Sequence, residues 1–173
     1  LVLLAGPCAI ASAILLLREA RVWLAGQSRR SARGAVVIDG SNVMYWWGGT
    51  PLITPVQDVV RTLKDLGFKT GVVFDANAGH LLTNAYKDDA ALAAMLKLPV
   101  DQVMVVPSGS PADPFILTAA REMGAVVVSN DRYRDWADDF PKVLRRGHLI
   151  KGGYRQQELW FDFATLSDEQ SAA

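Results

Sequence analysis

Four short, almost wholly apolar runs, AVVID (35–39), KTGVVFD (69–75), QVMVV (102–106) and AVVVS (125–129), punctuate the chain with amphipathic stretches between them. A β-strand sends successive side chains to opposite faces, so a run that is apolar at nearly every position has to be covered on both sides. Strands of that kind alternating with helices specify an α/β domain: a central, mainly parallel sheet with helices on both faces, three layers in all. The intervening stretches carry helix signals. Thr54-Pro55 reads as an N-cap followed by proline at the first helical position, opening VQDVVRTLKDL, which Gly67 stops. Asp88 to Lys97 reads as a helix ended before Pro99, and Pro114 to Met123 as one stopped by Gly124. The C-terminal part departs from this rhythm: HLIKGGY and ELWFDF predict a pair of strands around a glycine-containing turn, an edge hairpin.

Half of the 173 residues are hydrophobic, enough for a sizeable core in a domain spanning residues 35–165, with 166–173 as a tail. Charge cancels overall, 18 Lys+Arg against 18 Asp+Glu. The balance is uneven, because Arg18, Arg21, Arg29, Arg30 and Arg33 face Glu19 alone before Gly34, which leaves the remainder net acidic. This argues against a domain that coats nucleic acid nonspecifically and is compatible with a small basic groove beside an acidic site. With a single cysteine, Cys8, neither a disulfide framework nor a cysteine-built zinc site can form within one chain.

Residues 1–17, LVLLAGPCAIASAILLL, carry no charge, and Val22, Trp23 and Leu24 extend the apolar register while Arg18 and Arg21 can snorkel. Residues 1–24 are therefore expected to form a membrane anchor helix and residues 25–34 a basic linker. A secretory signal would place its positive charge before the apolar stretch and a small-residue cleavage site after it; a buried helix of the domain is the other alternative. Because the arginines follow the span, the positive-inside rule predicts a single-pass membrane protein whose folded domain is cytoplasmic.

Ligands of open α/β sheets bind outside the carboxyl ends of the strands, near the point where strand order reverses. Asp39 ends the first apolar run, Asp75 ends the second, and Asp131 follows the fourth. Asp113 opens the helix in SPADPFILTAA, and Asp135 stands four residues beyond Asp131, a spacing at which two carboxylates share one face of a helical turn. Taken singly, Asp113 before Pro114 is an ordinary helix cap and Asp135 a solvated residue. Taken together, like charges at one rim need a cation among them, and oxygen donors in a chain with only 2 histidines point to a hard ion, Mg²⁺ or Mn²⁺. Ser41, Ser108 and Ser129 have no histidine near them in sequence and read as turn and cap residues rather than nucleophiles. No GxGxxG follows a strand, and SGS (108–110) lacks the lysine of a phosphate-binding loop, which speaks against a nucleotide cofactor.

VVIDGSNV, followed far downstream by VVSNDRYRD with ADPFIL opening the helix between them, resembles the NYN branch of the PIN-like ribonucleases, most closely the catalytic domain of the Regnase (zinc-finger endoribonuclease) type. The resemblance covers residues 35–150 and implies a PIN-like fold that cuts RNA with Mg²⁺. It gives catalytic roles to Asp39, Asn42, Asp113, Asp131 and Asp135. The four aspartates form the metal set, Asp39 and Asp131 as direct ligands and Asp113 and Asp135 directly or through water, while Asn42 orients a ligand or the phosphate. Pairing into a homodimer is also implied, as in many PIN-like domains. The chain departs from the Regnase pattern in two ways: Ala112-Asp113 stands where paired aspartates are common, and no cysteine/histidine zinc finger is present. A catalytically weak or inactive RNA-binding or scaffold protein with the same fold is the alternative that Ala112 keeps open.

Groups suited to single-stranded RNA surround these acids. Trp46 and Trp47 precede a Gly48-Gly49 loop, Arg132 and Arg134 flank the last acids, and Lys151 and Arg155 follow. Aromatic faces stack bases and cations track phosphates, so these six are the expected RNA contacts; core packing or contact with a bilayer surface is the alternative for the two tryptophans.

Overall fold

The computed structural model describes residues 33–141, 145 and 147–163. The expected anchor (1–24), most of the linker and the tail (166–173) lie outside the described residues, among which no helix is long and apolar enough to cross a membrane. The chain runs β1 (Ala35–Asp39), α1 (Gly40–Val43), α2 (Ile53–Asp65), β2 (Lys69–Phe74), α3 (Ala78–Thr83), α4 (Asp89–Leu96), β3 (Val103–Val105), α5 (Asp113–Met123), β4 (Val126–Val128), β5 (Leu149–Ile150), β6 (Gly152–Arg155) and β7 (Glu158–Phe161).

Strands β1 to β5 form one sheet in the order β3-β2-β1-β4-β5, every neighbouring pair parallel. The alternation of side chains along β1 divides the core. Val36 and Ile38 join the cluster built with Val56, Val59 and Leu63 of α2 and Leu92 of α4, whereas Val37 joins the one built with Ile116, Leu117 and Ala120 of α5. These are the two covered faces that the apolar strands require, and the expected three-layer α/β architecture is the result. From β1 the chain adds β2 and then β3 on one side, then crosses to place β4 on the other. The reversal of strand order therefore falls between the carboxyl ends of β1 and β4, which carry Asp39 and Ser129-Asn130-Asp131.

Several local expectations are corrected. Helix α2 begins at Ile53, with Leu52 in the cap position and no side-chain cap bond, so Thr54 is not the N-cap. Pro55 lies inside the first turn, where its missing N–H has no helical acceptor to lose. Helices α1 and α3 were not signalled by periodicity, being only 4 and 6 residues long. Asp113 is the first residue of α5 and makes no cap bond; Ala112 occupies the cap position.

The expected C-terminal strand pair forms, but its turn is not the glycine one. HLI contributes β5 to the parallel sheet, and the turn of the separate antiparallel pair β6-β7 is Gln156-Gln157, both left-handed with φ of 50° and 68°. Gly152 sits inside β6 for a steric reason. A Cβ there would come within 2.6 Å of the Trp46 ring and 2.8 Å of the Trp160 carbonyl oxygen.

Candidate active site

Asp39 is the pivot. It ends the central strand, is only 6% exposed, and acts as N-cap of α1, its Oδ1 accepting the Asn42 N–H at 3.0 Å. Its Oδ2 accepts from the Ser129 hydroxyl and the Tyr133 hydroxyl, each at 2.9 Å. The Ser129 oxygen in turn accepts the Asp131 N–H at 3.0 Å, so one hydroxyl fastens the first acidic motif to the last across the switch point. Burial pushes the Asp39 carboxyl up to about 6, with a smaller push from the like charge of Asp113, against the three hydrogen bonds that favour the ionised form.

The loop after β4 holds its shape through local bonds. Asp131 Oδ1 accepts the Tyr133 N–H at 2.8 Å, an Asx-type turn that places Tyr133 at φ 47° and drives its ring into the core, 2% exposed. Burial and the neighbouring Asp39 carboxylate hold the Tyr133 phenol protonated, far above its ordinary range. The 3-10 turn Arg134–Trp136 follows. Trp136 Nε1 donates to Asp113 Oδ2 at 3.1 Å. Asp113 is also raised, chiefly by burial and further by the charges of Asp131, Asp75 and Asp135, opposed by the Trp136 bond. The five acids thus act on one another at one edge, as the strand ends predict. Asp131 and Asp135 do not share a helical face, because the left-handed Tyr133 breaks the turn between them.

Asn42 is a clamp. Its Oδ1 accepts from Trp46 Nε1 at 2.9 Å and from the Asn130 N–H at 3.0 Å, which fixes the amide orientation and turns Nδ2 away from those two partners. Asn130 continues the clamp by exchanging two hydrogen bonds with the Gly152 peptide, at 2.9 and 3.2 Å. Asn42, Asn130, Asp131, Arg132, Arg134 and Asp135 line an open depression of about 550 Å³.

The expected RNA contacts fall into different environments. Arg132 and Arg134 line the depression. Trp46 is turned inward, its indole N–H committed to Asn42, its ring over Gly152 and edge-on to Phe161 at 6.4 Å. Trp47, its neighbour, is 41% exposed. Arg155 lies 4.3 Å from the Trp160 ring centroid, and Lys151 is half-buried between β5 and β6. Tyr133, Trp136 and the bridging Ser129 belong to the site without any chemical motif that marks them in the sequence. Their only signal was position, inside the same short motif as the acids they brace.

The four aspartates offer oxygen donors alone. Among the described residues no salt bridge neutralises Asp39, Asp113, Asp131 or Asp135, the ion pair there being Arg61 with Asp58. Oxygen donors of this kind suit Mg²⁺ or Mn²⁺. Among the described residues no group of three or more His, Cys, Asp or Glu is by itself arranged to hold a metal ion.

The family model of the Zc3h12a-like ribonuclease NYN domain matches residues 32–159. Solved structures of Arabidopsis thaliana nuclear protein-only RNase P 2 (PRORP2) superpose with TM-scores of 0.59 and 0.54 at 16% and 14% identity, covering 92% and 83% of this chain. The chain spans about a third of their length, 35% and 32%, and at that identity the likeness is one of fold. No curated protein matches the chain by sequence.

Proposed function

The chain belongs to the Zc3h12a-like ribonuclease NYN domain family, and from that membership we propose that it is a Mg²⁺- or Mn²⁺-dependent endoribonuclease hydrolysing phosphodiester bonds of single-stranded RNA. The observation that carries the reading is the Ser129 bridge, which brings the end of β1 and the loop after β4 together as one acidic rim at the switch point. A cation bound there supplies Lewis-acid polarisation of the scissile phosphate and acidifies the attacking water. Asp39 and Asp131 would hold it, with Asp113 and Asp135 contributing directly or through water.

The remaining residues have separate tasks. Asp39, near 6, is ionised at neutral pH and braced in one orientation by Ser129 and Tyr133. Asn42 holds the two motif loops in register with its carbonyl oxygen and offers its Nδ2 donors to the phosphate. Arg132 and Arg134 offset the charge of the incoming backbone. No side chain is needed as a covalent nucleophile.

One observation favours a second reading: the acids are not prearranged as a three-ligand group, and the buried Ala112 precedes Asp113, as suits a noncatalytic RNA-binding or scaffold protein. The full chain incubated with 5′-labelled unstructured RNA separates the two. Internal cuts in Mg²⁺ or Mn²⁺ and none in EDTA support the enzyme; cleavage that persists in EDTA defeats the metal mechanism; binding without cleavage supports the scaffold. We also propose that residues 1–24 anchor the chain with the domain on the cytoplasmic side, following the arginines after the apolar run. Protease added outside intact cells should then spare the domain, and its digestion would reverse the orientation.

A further inference from the structure

We propose that Trp47 and Tyr154 form a ledge beside the acidic depression that stacks one unpaired nucleobase flanking the scissile bond. This deepens the ribonuclease reading and rests on it. The two rings are stacked on each other, centroids 5.0 Å apart at 30°, although they come from the loop after α1 and from β6. Tyr154 covers one face of the Trp47 ring, and Trp47 nevertheless remains 41% exposed.

The pair is rigid before any ligand arrives. Tyr154 donates its hydroxyl to Asp58 Oδ2 at 2.8 Å, and Asp58 is itself held by Arg61 at 2.7 Å. Backbone bonds from Gly49 to Tyr45 (3.2 Å) and from Leu52 to Met44 (2.9 Å) close the Trp47 loop, which turns through the left-handed Gly48 and Gly49, at φ 73° and 76°. Glycine, lacking a Cβ, takes both conformations at no steric cost. A pre-set aromatic face loses little freedom on binding.

Its position points to RNA. Trp46, immediately before Trp47, is bonded to Asn42, and Gly152, two residues before Tyr154, is bonded to Asn130; both asparagines line the depression with Arg132 and Arg134. The ledge is therefore tied through two short covalent links to the place where a backbone phosphate would sit. With the Tyr154 hydroxyl committed to Asp58, the ledge offers chiefly its ring face, which any unstacked base can use and bases stacked inside a duplex cannot.

The test measures binding of fluorescein-labelled RNA 12-mers to the full chain in EDTA, and their cleavage in Mg²⁺ and Mn²⁺, for wild type, Trp47→Ala and Trp47→Phe. A parallel series carries one abasic nucleotide at each position. Trp47→Ala should weaken binding about 5- to 150-fold, the range of one lost base stack, while Trp47→Phe keeps most of the affinity. One abasic position should weaken the wild type comparably and make no further difference to Trp47→Ala. Equal affinity of wild type and Trp47→Ala, with cleavage intact, overturns the ledge and leaves the nuclease reading standing. Stack-dependent binding with no cleavage in either ion does the reverse. Should Trp47→Ala fail to fold, the abasic series on the wild type decides alone, and a flat series overturns the ledge. So does a Trp47→Ala chain that loses phosphatidylserine-vesicle binding but not RNA, which would assign the ring to a bilayer surface.

Discussion

Asp39 and Asp135 belong to the same acidic rim, yet the protein treats them in opposite ways. Asp39 is buried, caps a helix, accepts from two hydroxyls and is displaced to about 6; Asp135 is exposed in a 3-10 turn, and its charge is felt chiefly as one more push on Asp113. Asp113 resembles Asp39, part-buried and braced by an indole N–H. The contrast separates acids whose direction is built into the fold from one that is free to adjust. Burying a carboxylate without a cation beside it costs stability, and a fold keeps such a cost where orientation matters.

The largest test of that contrast is Asp39→Asn, which should abolish cleavage while leaving the metal-free protein at least as stable. The sign follows from linkage. With its folded value near 6 against 3.8 unfolded, the native state binds the Asp39 proton more readily, so stability falls as pH rises from about 4 through about 6. The full loss is about 3 kcal/mol, and the asparagine, which cannot ionise, escapes it while setting an NH₂ donor where one carboxylate oxygen accepted, a cost of about 1 to 3 kcal/mol. Urea denaturation in EDTA at pH 5 and pH 8 should show the gap between the two proteins opening with pH. A parallel dependence in both, or near-normal turnover by Asp39→Asn, would remove Asp39 from its central role.

Next in size come the braces. Tyr133→Phe deletes one of the two hydroxyl donors to Asp39 Oδ2 and keeps the buried ring; Trp136→Phe deletes the donor to Asp113. Loss of an outer-shell partner lowers metal affinity about 10- to 100-fold, and Tyr133→Phe should reach that range when Mn²⁺ binding is followed by electron paramagnetic resonance. Trp136→Phe should weaken Mn²⁺ less, since Asp113 is only part-buried where Asp39 is buried. Unchanged Mn²⁺ affinity in Tyr133→Phe would make the hydroxyl a core hydrogen bond and nothing more.

Which parts of this were readable in the chain follows from range. The sheet was legible because a parallel strand covered on both faces must be apolar at successive positions, as Val36, Val37 and Ile38 are, and Asp39, Asp113 and Asp131 were legible because strand and helix ends define the ligand rim. The braces were not, because the Tyr133 to Asp39 and Trp136 to Asp113 bonds join residues 94 and 23 apart, and nothing in local pattern sends those rings inward. The fates of Trp46 and Trp47 were equally hidden: one pins Asn42 over a glycine in β6, the other faces outward, and only the arrival of Gly152 and Tyr154 from the far end of the chain decides which is which.

The smallest expected effect is the most discriminating for Asp135. Exposed and free of a salt bridge among the described residues, it can be changed to asparagine with stability held within about 0.5 kcal/mol, as for surface substitutions away from special contacts. Its work is electrostatic: it adds negative potential at the rim and so favours a cation while opposing the RNA backbone. Removing that charge should weaken Mn²⁺ and at the same time tighten RNA binding in EDTA, two changes of opposite sign that a solvated bystander would not produce. Each is bounded by the coupling of a single exposed charge across water, about 1 kcal/mol, or roughly fivefold, and shrinks as salt screens it. Measured at low and at high ionic strength, Mn²⁺ affinity that falls only at low salt places Asp135 in the water shell; a salt-independent loss would instead make it a direct ligand and erase its difference from Asp39.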